Sequence, residues 1–191
     1  VQGSGPSLTV WRIRGFDAAK LPWSDEMRAA KLFLMIGILM TSNVFSQQAA
    51  TVNAPPKCTA PEYRQFDFWL GEWTVMGGPK GDQLQGHNRI ERSEDGCRII
   101  EYWTGASGFK GMSLNSWDAQ YKVWRQFWVG GDGVVLRLEG GLQDGTMLMQ
   151  GELPGANGGI QKQKISWTPK EDGSVIQRWE TSDDEGKTWA I

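Results

Sequence analysis

The chain is poor in the residues on which much enzyme chemistry and nucleic-acid binding depend. Histidine occurs once in 191 residues, at His87. A lone imidazole beside no Cys or carboxylate at ligand spacing makes no metal cluster, so no metal is expected. His87 follows Gly86 at a predicted strand start, where exposure is expected rather than haem ligation or a place in a triad. Cysteine occurs twice, at Cys58 and Cys97, without the CxxC spacing of redox or zinc motifs. Basic runs are missing as well: from Gln47 onward 15 Lys and Arg stand against 19 Asp and Glu. With no clustered positive charge to neutralise phosphates, nucleic acid is excluded as a partner. No glycine pair precedes a helix, which removes the phosphate-binding loops, and no cofactor is expected. Long apolar runs are absent too. Leu32–Met40 is nine residues long, whereas a spanning helix needs about 20.

That short run has the flanks of a secretion signal. Arg28 and Lys31 precede it, and Val44-Phe45-Ser46 follows with residues suited to cleavage before Gln47. Residues 27–46 are therefore read as a signal peptide, and the protein as exported, periplasmic or extracellular, with no membrane span after cleavage. Residues 1–26 lie upstream of that signal and show no periodicity. They are read as a non-native extension and set outside the fold. Residues 47–57 form a polar, Pro-containing linker that is expected to be disordered. Pro55-Pro56-Lys57 before Cys58 is no lipidation motif. Export also permits Cys58 and Cys97 to pair as a disulfide.

What is abundant is tryptophan, at 11, and glycine, at 25. That mixture suits short strands and tight turns. Turn signals recur at Gly77-Gly78, Asp95-Gly96, Gly130-Gly131, Gly140-Gly141, Asp144-Gly145, Gly158-Gly159 and Asp172-Gly173. They predict strands over 71–77, 86–93, 97–105, 110–117, 121–129, 133–140, 145–152, 160–168 and 174–181, with a last one from Lys187. The fold class is all-β, an antiparallel up-and-down barrel of 8–10 strands spanning residues 58–191. Over 133–139, Val134, Leu136 and Leu138 alternate with Val135, Arg137 and Glu139. Over 121–129 both faces are largely apolar, which predicts cover on both sides or an apolar cavity. A lipid-facing barrel is excluded, because Lys162 and Lys164 occupy one face of 160–168 and Gln161 and Gln163 the other.

One stretch carries a resemblance. Phe66-Asp67-Phe68-Trp69-Leu70-Gly71-Glu72-Trp73-Thr74-Val75 is an aromatic turn running into Gly-x-Trp, and it resembles the opening of lipocalins and the wider calycin superfamily. Gly96-Cys97, Glu101-x-Trp103-x-Gly105, Gly111-x-Ser113-x-Asn115-x-x-Asp118 and Trp124-x-Gln126-x-Trp128-Val129 extend the pattern. The whole is similar to a set of secreted bacterial proteins close to domain of unknown function DUF 1579. The resemblance implies a lipocalin-like barrel in which the turn plugs one end and Trp73 packs over the base. It implies no activity. Gly71 is expected to let the turn backbone approach the strand. Such relatives continue past the final Thr-Trp with a further strand, whereas this chain stops at Ala190-Ile191, so the expectation is either a fragment, truncated at the C-terminus, or a barrel that closes differently.

Ser182-x-Asp184-x-Gly186-x-Thr188-Trp189 matches the Asp-box, a structural hairpin in which Asp184 gathers backbone hydrogen bonds and Trp189 tucks beneath the turn. The chemistry, if any, centres on Glu101. It shares a strand face with Ile99 and Trp103, and an inward carboxylate there has a raised pKa and can act as acid or base. Asn115 and Gln126 on the next strands can join it. The competing reading is a satisfied hydrogen-bond network that pins the barrel, or a solvated face. Trp103, Trp124 and Trp128 are the candidate pocket walls, against plain core packing. The leading expectation is a barrel that binds a small apolar or aromatic molecule through Trp103, Asn115, Trp124, Gln126 and Trp128. The rivals are an enzyme using Glu101 as general acid or base, and a structural or interaction barrel with no pocket. Oligomeric state is left open.

Overall fold

The computed structural model describes residues 8–13, 58–156 and 158–191. The expected signal peptide, the linker over 47–57 and the rest of the upstream stretch lie outside the described residues. The fold is all-β and antiparallel. Its strands are β1 (Leu8–Ile13), β2 (Gly71–Gly77), β3 (Gln83–Arg92), β4 (Arg98–Gly105), β5 (Lys110–Asp118), β6 (Val123–Gly130), β7 (Val135–Gln143), β8 (Thr146–Pro154), β9 (Ile160–Pro169) and β10 (Val175–Ser182). From β2 to β10 each strand pairs with the next, an up-and-down meander whose turns include the predicted Gly and Asp-Gly positions except Gly140-Gly141, which lies inside β7.

Closure differs from expectation. Nine alternating strands leave β2 and β10 running in the same direction, so they cannot pair antiparallel with each other. β1 lies between them, antiparallel to both, with Val10 opposite Ile176 on one side and Met76 on the other. The sequence reading set residues 1–26 outside the fold, yet Leu8–Ile13 of that stretch fill the place of a missing strand. The driving force is the row of unpaired N–H and C=O groups that each edge would otherwise expose. The strand expected from Lys187 does not form. Thr181 and Ala190 make a single antiparallel bridge instead.

One end of the barrel is plugged. Two short 3-10 turns, Pro61–Arg64 and Asp67–Trp69, carry Phe66 and Trp69 into the interior. Phe66 stacks on Trp69 at 4.7 Å and meets Trp124 and Trp167 edge-on at 5.8 and 5.3 Å. All four are fully buried, as is Trp73, whose indole N–H donates to the Trp69 carbonyl at 2.9 Å. Each such side chain contributes roughly 1.5–3 kcal/mol by leaving water. Gly71 earns its place by conformation, not by close approach. Its φ is +130°, and a Cβ there would meet nothing nearer than 3.9 Å.

The plug is tied down covalently and by charge. Cys58 and Cys97 form a disulfide across 39 positions. Arg64 donates to the carbonyls of Cys58 and Gly96, both at 2.8 Å. Arg92 pairs with Asp67. In the chain-entropy picture a loop of this size makes the disulfide worth about 4 kcal/mol.

Alternation puts Trp124, Gln126 and Trp128 of β6 inward. Its other face is not covered, since Phe127 is 43% exposed. Tyr102, Met112, Leu114 and Val135 on the neighbouring strands are exposed with it.

Candidate functional site

At the other end of the barrel the inward side chains of the described strands are polar and aromatic. Alternation along β4 aims Ile99, Glu101 and Trp103 inward, as the sequence predicts. The register then places Glu101 opposite Ser113, Ser113 opposite Trp128, Asn115 opposite Gln126 and Trp103 opposite Asn88. All five polar residues are buried.

Their hydrogen bonds run in one direction. Gln126 Nε2 donates to Asn115 Oδ1 at 2.8 Å, and Asn115 Nδ2 donates to Ser113 Oγ at 2.9 Å. Ser113 Oγ donates to Glu101 Oε2 at 2.6 Å, and from the other side Asn88 Nδ2 donates to Glu101 Oε1 at 2.6 Å. Asn115 Nδ2 also reaches the Ile99 carbonyl at 3.2 Å. The donors converge on one carboxylate. Burial pushes the Glu101 carboxyl up to about 7, and the Ser113 and Asn88 bonds hold it from rising further. Among the described residues no Lys or Arg forms an ion pair with it. Asn88 Oδ1 is buried with no hydrogen-bond partner.

Two indoles flank this cluster, and each lies on glycine. A Cβ built on Gly86 would sit 2.8 Å from Trp103 Cη2, and one on Gly111 only 2.3 Å from Trp128 Cζ2. Both rings are therefore laid against the sheet backbone, and both remain partly exposed. Trp124, expected beside them, is not. It is buried at the plugged end, where its N–H donates to Gln65 Oε1 at 3.1 Å. The difference of four positions along β6 carries it a full strand segment away from Trp128.

Three further groups escaped the sequence reading. Asn88 and Ser113 complete the Glu101 cluster, and β3 alternation alone, with Ile90 inward, would have found Asn88. On the facing strands a second chain runs from Trp179 Nε1 to Gln163 Oε1 at 2.8 Å. It continues from Gln163 Nε2 to Gln161 Oε1 at 2.8 Å and from Gln161 Nε2 to Asp183 Oδ1 at 2.9 Å. Only the ladder register reveals that one.

The remaining candidates sit elsewhere. His87 is in mid-strand, not at a strand start, and lines an outer cleft of about 260 Å³ with Glu72, Arg89, Tyr102 and Thr104. Asp184 accepts from the Thr188 N–H and hydroxyl at 2.8 and 2.6 Å and from Ser182 Oγ at 2.7 Å. Those bonds, led by the Thr188 hydroxyl, hold its carboxyl well below the usual range. Trp189 Nε1 donates to the Gly186 carbonyl at 3.1 Å, with Lys164 Nζ 4.1 Å from the ring centre. This is a hairpin lock. No group of three or more metal-ligating side chains occurs among the described residues. No family model matches the chain, and no curated protein matches it in sequence.

Proposed function

We propose that the protein is an exported binding barrel that takes a small molecule with an apolar or aromatic body into its unplugged end, against Trp103 and Trp128 and above Glu101. The observation that carries this reading is the state of Glu101. A carboxylate buried in an aromatic interior, with converging donors and no ion-paired Lys or Arg among the described residues, is costly to keep for packing alone. Residues that do nothing but fill a barrel do not require it. The disulfide accords with an oxidising compartment, and the resemblance to DUF 1579 and calycin barrels supports the same architecture. Gln126 and Asn115 serve this site as positioning residues, fixing Ser113 so that its hydroxyl faces Glu101. The decisive experiment is a native mass spectrum of the protein purified from an exporting host. Excess mass that disappears on denaturation supports the reading, and a bare mass together with no binding from a panel of aromatic small molecules refutes it.

One observation favours a second reading. A carboxyl held at about 7 is poised to exchange a proton at neutral pH, which suits an enzyme with Glu101 as general acid or base on a bound organic substrate. Glu101→Gln separates the two readings once a ligand is in hand. An enzyme keeps binding and loses turnover by about 100-fold or more, whereas a binder shows no turnover to lose.

A further inference from the structure

The interior cluster has an excess of acceptors. A carboxylate offers about four lone-pair positions, and Glu101 uses one on each oxygen, for Asn88 and Ser113. Asn88 Oδ1 beside it is buried and has no partner. Glu101 is 7% exposed and Gln126 5%, while Ser113 and Asn115 are at 0%. Glu101 and Gln126 are thus the least enclosed residues of the cluster. Among the described residues, unsatisfied acceptors, one negative charge and two indoles come to one place, and no Lys or Arg is ion-paired there.

From this juxtaposition we infer that the ligand is a small organic cation, an amine with a flat apolar body, whose ammonium hydrogens bond Glu101 and Asn88 Oδ1 while its body lies against Trp103 and Trp128. An ammonium group is donor-only, so it complements an acceptor-only face. Indole faces attract cations, more strongly where water is excluded. A neutral alcohol can satisfy one acceptor and leaves the charge unpaired, and an anion is repelled. The inference rests on the binding reading above and narrows its ligand class.

Protonation follows the same geometry. Without ligand, the carboxyl burial favours the neutral acid. An arriving ammonium supplies the missing charge and displaces that proton to solvent. Among the described residues no other titratable group faces Glu101. β3 presents Asn88 and Ile90, β5 presents Ser113, β6 presents Gln126 and Trp128, and the facing strands present Gln163 and Trp179. Arg92, on the same face of β3 at the plugged end, is paired with Asp67. Asp183, exposed at the far side of the open end, is bonded by Gln161.

The test measures binding of phenethylamine, phenethyl alcohol and hydrocinnamate to the full chain by calorimetry and tryptophan fluorescence. Phenethylamine is expected to bind tightest at pH 8 and to weaken about 100-fold at pH 5, where about one carboxyl in a hundred is ionised. Glu101→Gln, which keeps the side-chain shape, is expected to cost the amine at least about 30-fold and to leave the alcohol unchanged. The pH profile of the unaltered protein tests the idea even if that variant misfolds. An alcohol that binds as well as the amine, or amine affinity that is flat from pH 5 to 8, overturns the cation assignment and leaves the binding reading standing. A neutral or acidic molecule carried through purification does the same. No binding by any of the three, with tryptophan emission unmoved, overturns both.

Discussion

Glu101→Gln makes a stability prediction that needs no ligand. The carboxyl rises from 4.5 to about 7 on folding, so the folded protein keeps a proton that the unfolded chain releases across that interval. Stability from this group is fully present below pH 4.5 and is lost as pH climbs to about 7. The rate of loss is about 1.4 kcal/mol per pH unit. Integrated over the window, the unaltered protein gives up about 3 kcal/mol that a glutamine never has to lose. The glutamine amide can also donate to Asn88 Oδ1 once the Asn88 amide turns over, which satisfies an atom now without a partner. The stability difference between variant and parent should therefore shift by about 3 kcal/mol in the variant's favour between pH 4.5 and 8. Urea unfolding followed by tryptophan fluorescence reads this directly. With a slope of about 1–3 kcal/mol per molar, the midpoints should separate by about 1 M or more. Parallel midpoint-against-pH curves for the two proteins would refute the buried-carboxylate account.

Three other outcomes are expected. Gly111→Ala drives a methyl into the Trp128 ring, so it should cost about 1–3 kcal/mol and shift tryptophan emission to the red, while unchanged emission would mean that the ring does not lie on that glycine. Cys97→Ser, or reduction of the intact protein, should lower stability by up to about 4 kcal/mol and loosen amide protection over residues 61–69 first; equal protection with and without the bond would show that Arg64 and Arg92 hold the plug unaided. A peptide of residues 7–14 added to a 58–191 fragment should raise its melting temperature by entering between β2 and β10, and a flat titration would show that the barrel does not depend on that strand.

Much of the fold was legible because sheets of this kind are encoded locally. Asp-Gly and most Gly pairs read as turns on their own, Gly140-Gly141 inside β7 being the exception, and period-two alternation assigns Leu136 and Leu138 to the interior without knowing their neighbours. That the aromatic turn ahead of Gly71 plugs one end was implied by the resemblance of its motif to calycin openings. The same alternation put Glu101 on one face with Ile99 and Trp103, and the structure shows that this face is the interior. Trp124 was misplaced for the reason that alternation is blind to height. It tells which face a side chain shares and nothing about which end of the barrel it reaches.

Sequence by itself determined the class, the up-and-down order of the strands after Gly71 and the disulfide partners, since each depends on residues close in the chain or on a pair with no other choice. Tertiary structure alone decided the rest. Ladder register set Ser113 and Asn88 on the two oxygens of Glu101. Two glycines on neighbouring strands made room for two indoles. The parity of the meander, nine strands with both edges pointing the same way, made Leu8–Ile13 the closing strand. Such outcomes are properties of pairs distant in sequence, and a chain read one residue at a time holds no record of which strand will lie beside which.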